Sequence, residues 1–187
     1  MPSLSEVDRR AALQLARTAV IEAVTHHKFL DSFPRDGVFA ARRGVFVTLH
    51  VRNRLQGCIG VIEVKEPLSE AIARCAASAA LEDPRFAPMK TDQLGDLSIE
   101  ISILSAMESI APESIEIGRH GLFVRLHEQR GLLLPQVAVE HRLTCEQFLE
   151  ETCRKAGLRR EAWRDPEALL FGFTCEVFSE SAHPESA

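Results

Sequence analysis

The sequence has no tyrosine, and aromatic residues make up only 6% of its 187 positions. Proteins that bind single-stranded nucleic acid stack bases on aromatic rings and follow the phosphates with a basic surface. Here acidic residues outnumber basic ones, 27 to 22, and the formal net charge is -5. Nucleic acid is therefore an unlikely partner, and an RNA-binding module is the least favoured of three functional alternatives.

Familiar motifs for metals and nucleotides are also absent. There is no CxxC pair, no HExxH, no GxGxxG and no P-loop. These patterns are typical of structural zinc sites, zinc proteases, dinucleotide-binding folds and phosphate-binding loops respectively. We therefore expect neither a metal nor a cofactor.

Membrane and export features are lacking as well. No apolar run is long enough to span a bilayer, and the first residues lack the charged-then-apolar layout of a signal peptide. The five cysteines are an odd number without regular disulfide spacing, which favours reduced thiols. We expect a cytoplasmic protein without membrane association.

A hairpin is the most informative part of the chain. Val45–Val51 alternates apolar and other residues, which predicts a strand with one buried face. Residues 52–54 are polar and turn-like, and residues 55–61 form the predicted returning strand. That strand contains Gly57 and Gly60, and glycines inside a strand indicate a bulge or the close approach of another backbone or a ligand.

Cys58 lies between these glycines and has two interpretations. It is either a small buried apolar residue or a functional thiol in a glycine-lined pocket. Strand alternation predicts a core face and an opposite face that carries Cys58. The predicted core face consists of Leu55, Gly57, Ile59 and Val61, and the opposite face of Gln56, Cys58, Gly60 and Ile62, with Arg54 on the latter side.

The loop at residues 83–88 reads Asp-Pro-Arg-Phe-Ala-Pro, and its two prolines should stiffen it. It is either a rigid connector in which Arg85 pairs with Asp83, or a loop that binds an anion or a partner. A guanidinium on a stiff loop suits a carboxylate or phosphate. We expect Arg85 to lie near the strand that carries Cys58.

Hydrophobic periodicity predicts the remaining elements. Helices are expected over residues 6–28, 68–81 and 144–157, and strands over residues 97–104, 115–117, 122–126, 132–134 and 169–178. Hairpins dominate, which predicts an α+β fold with an antiparallel-rich sheet, helices packed on it, and two lobes in one globular unit. We expect one domain over 1–187, with a smaller lobe at about 64–111, a larger lobe from the remainder and a polar tail at 179–187.

Six stretches in register resemble one family. They are LQGCIG at 55–60, DPRF at 83–86, IEISIL at 99–104, GRHGL at 118–122, GLLLPQV at 131–137 and FLEETCRKAGL at 148–158. Together they resemble the AMMECR-one domain family, also called AmmeMemoRadiSam system protein A. The resemblance covers roughly residues 33–178. Gln56 stands where the family usually has arginine, and Ala87 stands where it often has proline. Arg54, two residues before Gln56, would substitute for that arginine.

The resemblance implies a compact α+β fold with a larger and a smaller lobe, and a motif centred on Cys58 and its glycines. It also implies association with a Memo-like protein and a radical SAM enzyme. One hypothesis is thus an enzyme or enzyme component of a modification system. Cys58 would be a nucleophile or carrier thiol, with His120 or His141 as base.

The second hypothesis is a non-catalytic adaptor that binds a small ligand or a partner protein in a cleft. It needs no activated thiol. Under either hypothesis the candidate ligand-binding residues are Arg54, Gln56, Gly57, Gly60, Asp83 and Arg85.

Overall fold

The computed structural model describes residues 4–62 and 65–180. Its helices are α1 Glu6–His26, α2 Leu68–Leu81, α3 Pro135–Glu140 and α4 Cys145–Lys155. Its strands are β1 Val45–Val51, β2 Arg54–Val61, β3 Leu97–Leu104, β4 Glu108–Ser109, β5 Gly121–Leu126, β6 Gln129–Leu133, β7 Leu169–Phe173 and β8 Cys175–Ser179. The pairings of β1 with β2 and β3, and of β5 with β6 and β7, are antiparallel, which confirms the α+β class.

The chain divides into two compact units. The first contains the chain up to Ile103 together with the chain from Glu176, and the second is Leu104–Cys175. This boundary differs from the predicted smaller lobe at 64–111, because α2 shares one hydrophobic core with β1 and α1. Val64, where that lobe would begin, lies outside the described residues, as does the tail from 181 onward.

The first unit contains a sheet in the order β2-β1-β3-β8, with α1 and α2 packed on one face. The predicted alternation along β1 and β3 is confirmed, because the antiparallel register matches the apolar residues of the two strands in pairs. The pairs are Val45–Ile103, Val47–Ile101, Leu49–Ile99 and Val51–Leu97. Burying this face removes a continuous apolar surface from water and stabilises the unit.

Both helices of this unit begin close to where their sequence predicts. Ser5 and Asp8 form a reciprocal capping box at the start of α1. His27 ends that helix in the left-handed conformation, at φ 54°. The small residues on α2 allow close packing, and ten of its fourteen residues are buried.

The hairpin contains a bulge, which is one of the reasons predicted for the glycines of its second strand. Its turn is tight, since Arg52 and Asn53 both have positive φ, 51° and 60°. The register between β1 and β2 shifts beyond Leu49, so that His50 lies opposite Leu55. Leu55 therefore leaves the predicted core face and is 42% exposed. The same shift sets Arg54 opposite Val51, so the expectation that Arg54 shares a face with Cys58 is wrong.

The second unit contains a sheet in the order β4-β7-β5-β6, accompanied by α3 and α4. Thr144 and Gln147 cap α4 as predicted, and Gly157 follows its end at φ 75°. The buried face of α4 carries Phe148 and Leu149, which pack in the core of this unit.

Two strand predictions in the C-terminal half are wrong. Residues 115–117 form no strand, because the carbonyl of Glu116 accepts hydrogen bonds from the N–H groups of Arg119 and His120 in a turn. The single strand expected at 169–178 is interrupted at Thr174, and its halves, β7 and β8, belong to different sheets. No helix in the described ranges is long and apolar enough to cross a membrane.

Candidate functional site

The backbone of Cys58 is held from outside the sheet. β2 is the edge strand, and the outward-facing N–H of Cys58 donates to Asp83 Oδ2 at 2.9 Å. The carbonyl of Cys58 accepts a hydrogen bond from Arg85 Nη2 at 3.2 Å. Asp83 and Arg85 thus occupy the place that a neighbouring strand would take, and they satisfy an otherwise open edge.

The two loop side chains are also bonded to each other. Arg85 donates to both carboxylate oxygens of Asp83, from Nε at 2.9 Å and from Nη2 at 2.7 Å. The Asp83 side chain is only 2% exposed, whereas that of Arg85 is 56% exposed. The Arg85 hydrogen bond, aided by the backbone N–H groups of Cys58 and Arg85, holds the pKa of Asp83 well below its usual range. The predicted pairing of these residues is confirmed.

The rest of the loop follows the same strand edge. Gln56 Nε2 donates to the carbonyl of Ala87 at 2.9 Å. The Arg85 guanidinium lies over the Phe86 ring, with Cζ 5.3 Å from the ring centroid. The two positions that depart from the family pattern, 56 and 87, are therefore in contact with each other. The expectation that Arg85 lies near the Cys58 strand is confirmed.

The Cys58 thiol lies on the face of the sheet opposite the helices. Its cross-strand partner is Thr48, and the Thr48 hydroxyl lies 3.3 Å from Sγ, within hydrogen-bond distance. Glu100 follows next in the same row, on β3. The prediction that Cys58 points away from the helix-packed core is confirmed, and its side chain is half-buried. The hydrogen bond to Asp83, and to a smaller extent Cys58, raises the pKa of Arg85.

Close packing inside the fold requires glycine at both Gly57 and Gly60. A Cβ at Gly57 would lie 2.0 Å from the carbonyl oxygen of Ala79, so glycine lets the backbone of α2 approach β2. A Cβ at Gly60 would lie 2.2 Å from the Phe46 ring. Close approach of another backbone, one of the reasons predicted from sequence, explains Gly57 without a ligand.

The remaining candidates are Arg54, His120 and His141. Arg54 is exposed at the start of β2. His120 and His141 belong to the second unit. His120 Nδ1 accepts the backbone N–H of Glu116 at 3.0 Å, which leaves Nε2 as the protonated nitrogen of the neutral ring. His141 is exposed at the end of α3.

Thr48 is the residue of this site that the sequence reasoning missed. It lies between Phe46 and His50 on the non-core face of the predicted β1 strand, so the pattern placed it correctly without assigning it a role. The antiparallel register, which was not known from the sequence, places Thr48 opposite Cys58. Within residues 4–62 and 65–180 no group of three or more His, Cys, Asp or Glu side chains could hold a metal ion.

Several known proteins are similar to this chain in sequence or in structure. A protein of Methanothermobacter thermautotrophicus is 42% identical over 95% of this chain and 96% of its own length. Protein Ta0236 of Thermoplasma acidophilum is 40% identical over 95% of this chain and 92% of its own. The crystal structure of the uncharacterised protein PH0010 from Pyrococcus horikoshii aligns with a TM-score of 0.84 at 38% identity, and covers 92% of this chain and 91% of that one.

The family model named AMMECR1 matches residues 13–178, which include the whole Cys58 cluster and every strand of the two sheets except the last residue of β8. The sequence resemblance is thereby confirmed. This chain belongs to the AMMECR1 family, and the relatives named above are similar to it along nearly their entire length.

Proposed function

We propose that this AMMECR1-family protein is a component of a modification system that works with a Memo-like protein and a radical SAM enzyme. In this proposal the Cys58 thiol is the group that contacts the substrate, as a nucleophile or as a carrier. The observation that carries the proposal is that the Arg85 guanidinium donates to the carbonyl of Cys58 at 3.2 Å, which places a cation beside the residue whose half-exposed thiol would react. Reactive cysteines characteristically lie beside cations, which favour the thiolate.

The surroundings of Cys58 add a second argument. Its N–H and its carbonyl are both fixed, by Asp83 and Arg85, while its side chain is left half-exposed. A reacting group on a fixed backbone loses little conformational freedom when the substrate binds. The Thr48 hydroxyl can donate a hydrogen bond to the sulfur. His120 and His141 belong to the second unit, and this account assigns neither of them as a base.

Arg85 also has capacity left for a substrate. Its Nε and Nη2 are used by Asp83 and Cys58, and among the described residues no acceptor bonds its Nη1. The side chain is 56% exposed. An anionic group of the substrate, carboxylate or phosphate, would bind there next to the thiol.

A non-catalytic adaptor is the second candidate. The hydrogen bonds of Asp83 and Arg85 to the backbone of Cys58 favour this candidate, because they give both residues a structural role in closing the edge of β2. In that case the cluster shapes a binding surface for a partner, and the thiol has no chemical role.

Residue-resolved alkylation separates the two candidates. Native protein is treated with iodoacetamide across a pH series, and each cysteine is followed by peptide mass spectrometry. A functional thiol at Cys58 should react at least several-fold faster at neutral pH than Cys145, which is also half-exposed. Arg85→Gln should slow Cys58 alone, whereas Arg10→Gln, at an exposed arginine of α1, should not.

The adaptor predicts a different pattern. Cys58 would react no faster than Cys145, and Arg85→Gln would leave its rate unchanged. That result, together with retained binding of the Memo-like protein, would replace the thiol proposal by the adaptor.

A further inference from the structure

A cavity lies in the second unit, and none of its described lining residues belongs to the Cys58 cluster. It has a volume of about 720 Å³ and is lined by residues of β6, α3, the α3–α4 connection and α4. We call it the α3–α4 groove. Its volume falls within the range of sites that hold small organic ligands.

The groove is lined by apolar side chains, called the floor below, and by polar and charged side chains, called the rim. Leu133, Val137 and Leu143 supply the floor, and all three are half-buried. The polar groups are His141, which follows α3, and the charged side chains of Glu151, Arg154 and Lys155 from α4. Residues spaced by three and four positions share one face of a helix, so the α4 charges line one side of the groove.

The charge of that rim is positive although the whole protein is acidic. Glu151 accepts Arg154 at 2.6 Å and lies 3.9 Å from Arg160 Nη2, so its charge is balanced within the protein. Lys155 is exposed and forms no ion pair among the described residues. An unbalanced cation thus remains beside an apolar floor, in a chain of net charge -5.

We propose that the α3–α4 groove binds an amphipathic carboxylic acid. Its linear apolar chain would lie on Leu133, Val137 and Leu143, and its carboxylate would pair with Lys155 and the outer side of Arg154. The inference rests on charge complementarity: a positive rim beside an apolar floor selects an anion with an apolar tail. It is independent of the function proposed for Cys58.

The protein contains a natural reporter for this site. Trp163 is the single tryptophan of the chain. It packs against the hydrophobic cluster that also contacts Leu133 and Leu143, so a ligand on the floor should change its emission. Fluorescence and calorimetry can therefore follow the same titration.

The test titrates the full chain with octanoate, and with butanoate and octylammonium as probes of the two parts of the ligand. Octanoate should bind saturably and at least about tenfold more tightly than butanoate, because each buried methylene adds affinity. Octylammonium, which has the same tail but the opposite charge, should bind at least about fivefold more weakly than octanoate. Equal binding of the two octyl probes, or no saturable binding of octanoate, would overturn the proposal.

Variants of one lysine locate the site. Lys155→Gln should weaken octanoate binding at least about threefold, and Lys155→Glu should weaken it further. Lys28→Glu changes the charge by as much as Lys155→Glu does, at an exposed position of the first unit. It should leave the affinity for octanoate unchanged. Thermal melts establish that each variant is folded. If both Lys155 variants bind octanoate as tightly as the Lys28→Glu control does, octanoate binds elsewhere and the groove assignment is wrong.

Discussion

The carboxylate of Asp83 accepts the backbone N–H of Cys58 at 2.9 Å, across 25 residues of sequence. This contact joins the loop that follows α2 to the edge of β2. It fixes the position of the Cys58 backbone, and it leaves the thiol on the opposite face from α1 and α2.

Replacing Asp83 should destabilise the fold. Asp83→Ala leaves the N–H of Cys58 without its acceptor, and it removes the three hydrogen bonds that Arg85 donates to the carboxylate, two from the guanidinium and one from the backbone N–H. Because Arg85 is half-exposed, water can compensate its charge, so we expect a loss of about 2 kcal/mol in the free energy of unfolding. Urea denaturation measures it. Asp31→Ala, at an exposed aspartate, is the control, and an equal effect of the two changes would refute the structural role of Asp83.

The contribution of Asp83 to the free energy of unfolding should decrease as the pH falls. The folded protein lowers the pKa of Asp83, chiefly through the Arg85 hydrogen bond, so the stabilisation is fully present above the unfolded-state value of about 4. It is lost as pH falls below that value toward the lowered folded-state pKa. The stability difference between wild type and Asp83→Asn should therefore shrink between about pH 5 and pH 2. A difference that stays constant over this range would contradict the shift.

Gly57 should tolerate no side chain. In Gly57→Ala the added Cβ would meet the carbonyl oxygen of Ala79, which belongs to the backbone of α2 and cannot rotate away. We expect a loss of about 2–3 kcal/mol in the free energy of unfolding, as for other overpacked sites. Gly95→Ala, where nothing lies within 4 Å of the new Cβ, should be neutral or slightly stabilising. Equal urea midpoints for the two variants would show that α2 can shift.

The buried thiol of Cys75 should be inert in the native protein. Burial raises the pKa of Cys75 to about 11, so little thiolate exists at pH 8, and the side chain is also inaccessible. Iodoacetamide should leave Cys75 unmodified in native protein and modify it rapidly in urea. Native-state labelling of Cys75 at a rate comparable to that of Cys58 would indicate local opening of α2.

Elements with a strong local pattern were predictable from sequence. The bounds predicted for β1, α2 and β3 match the structure, because hydrophobic periodicity and prolines determine them locally. Gly57 and Gly60 predicted a bulge as one alternative, but its position was not predictable. Alternation assumes an unbroken register, and it placed Leu55 and Arg54 on the wrong faces. The break at Thr174 was missed because both flanking segments are apolar and read as one strand.

In the candidate site, too, contacts between residues close in sequence could be predicted, and contacts that depend on tertiary structure could not. The stiff loop and the pairing of Asp83 with Arg85 could be predicted, since they depend on residues two positions apart. The contacts of that pair with the Cys58 backbone, and of Thr48 with its sulfur, depend on tertiary pairing and strand register. A sequence pattern does not determine which side chain closes a strand edge.

The Cys58→Ser variant tests the central proposal most directly, through its binding to the Memo-like protein measured by calorimetry. We expect the variant to remain folded, with a loss of stability of no more than about 1–2 kcal/mol, because the thiol lies outside the helix-packed core. Its binding should fall clearly below that of wild type, while Cys145→Ser, at another half-exposed cysteine, should bind normally. A Cys58→Ser protein that is folded and binds the Memo-like protein as tightly as wild type would contradict the proposal that this thiol is the functional group.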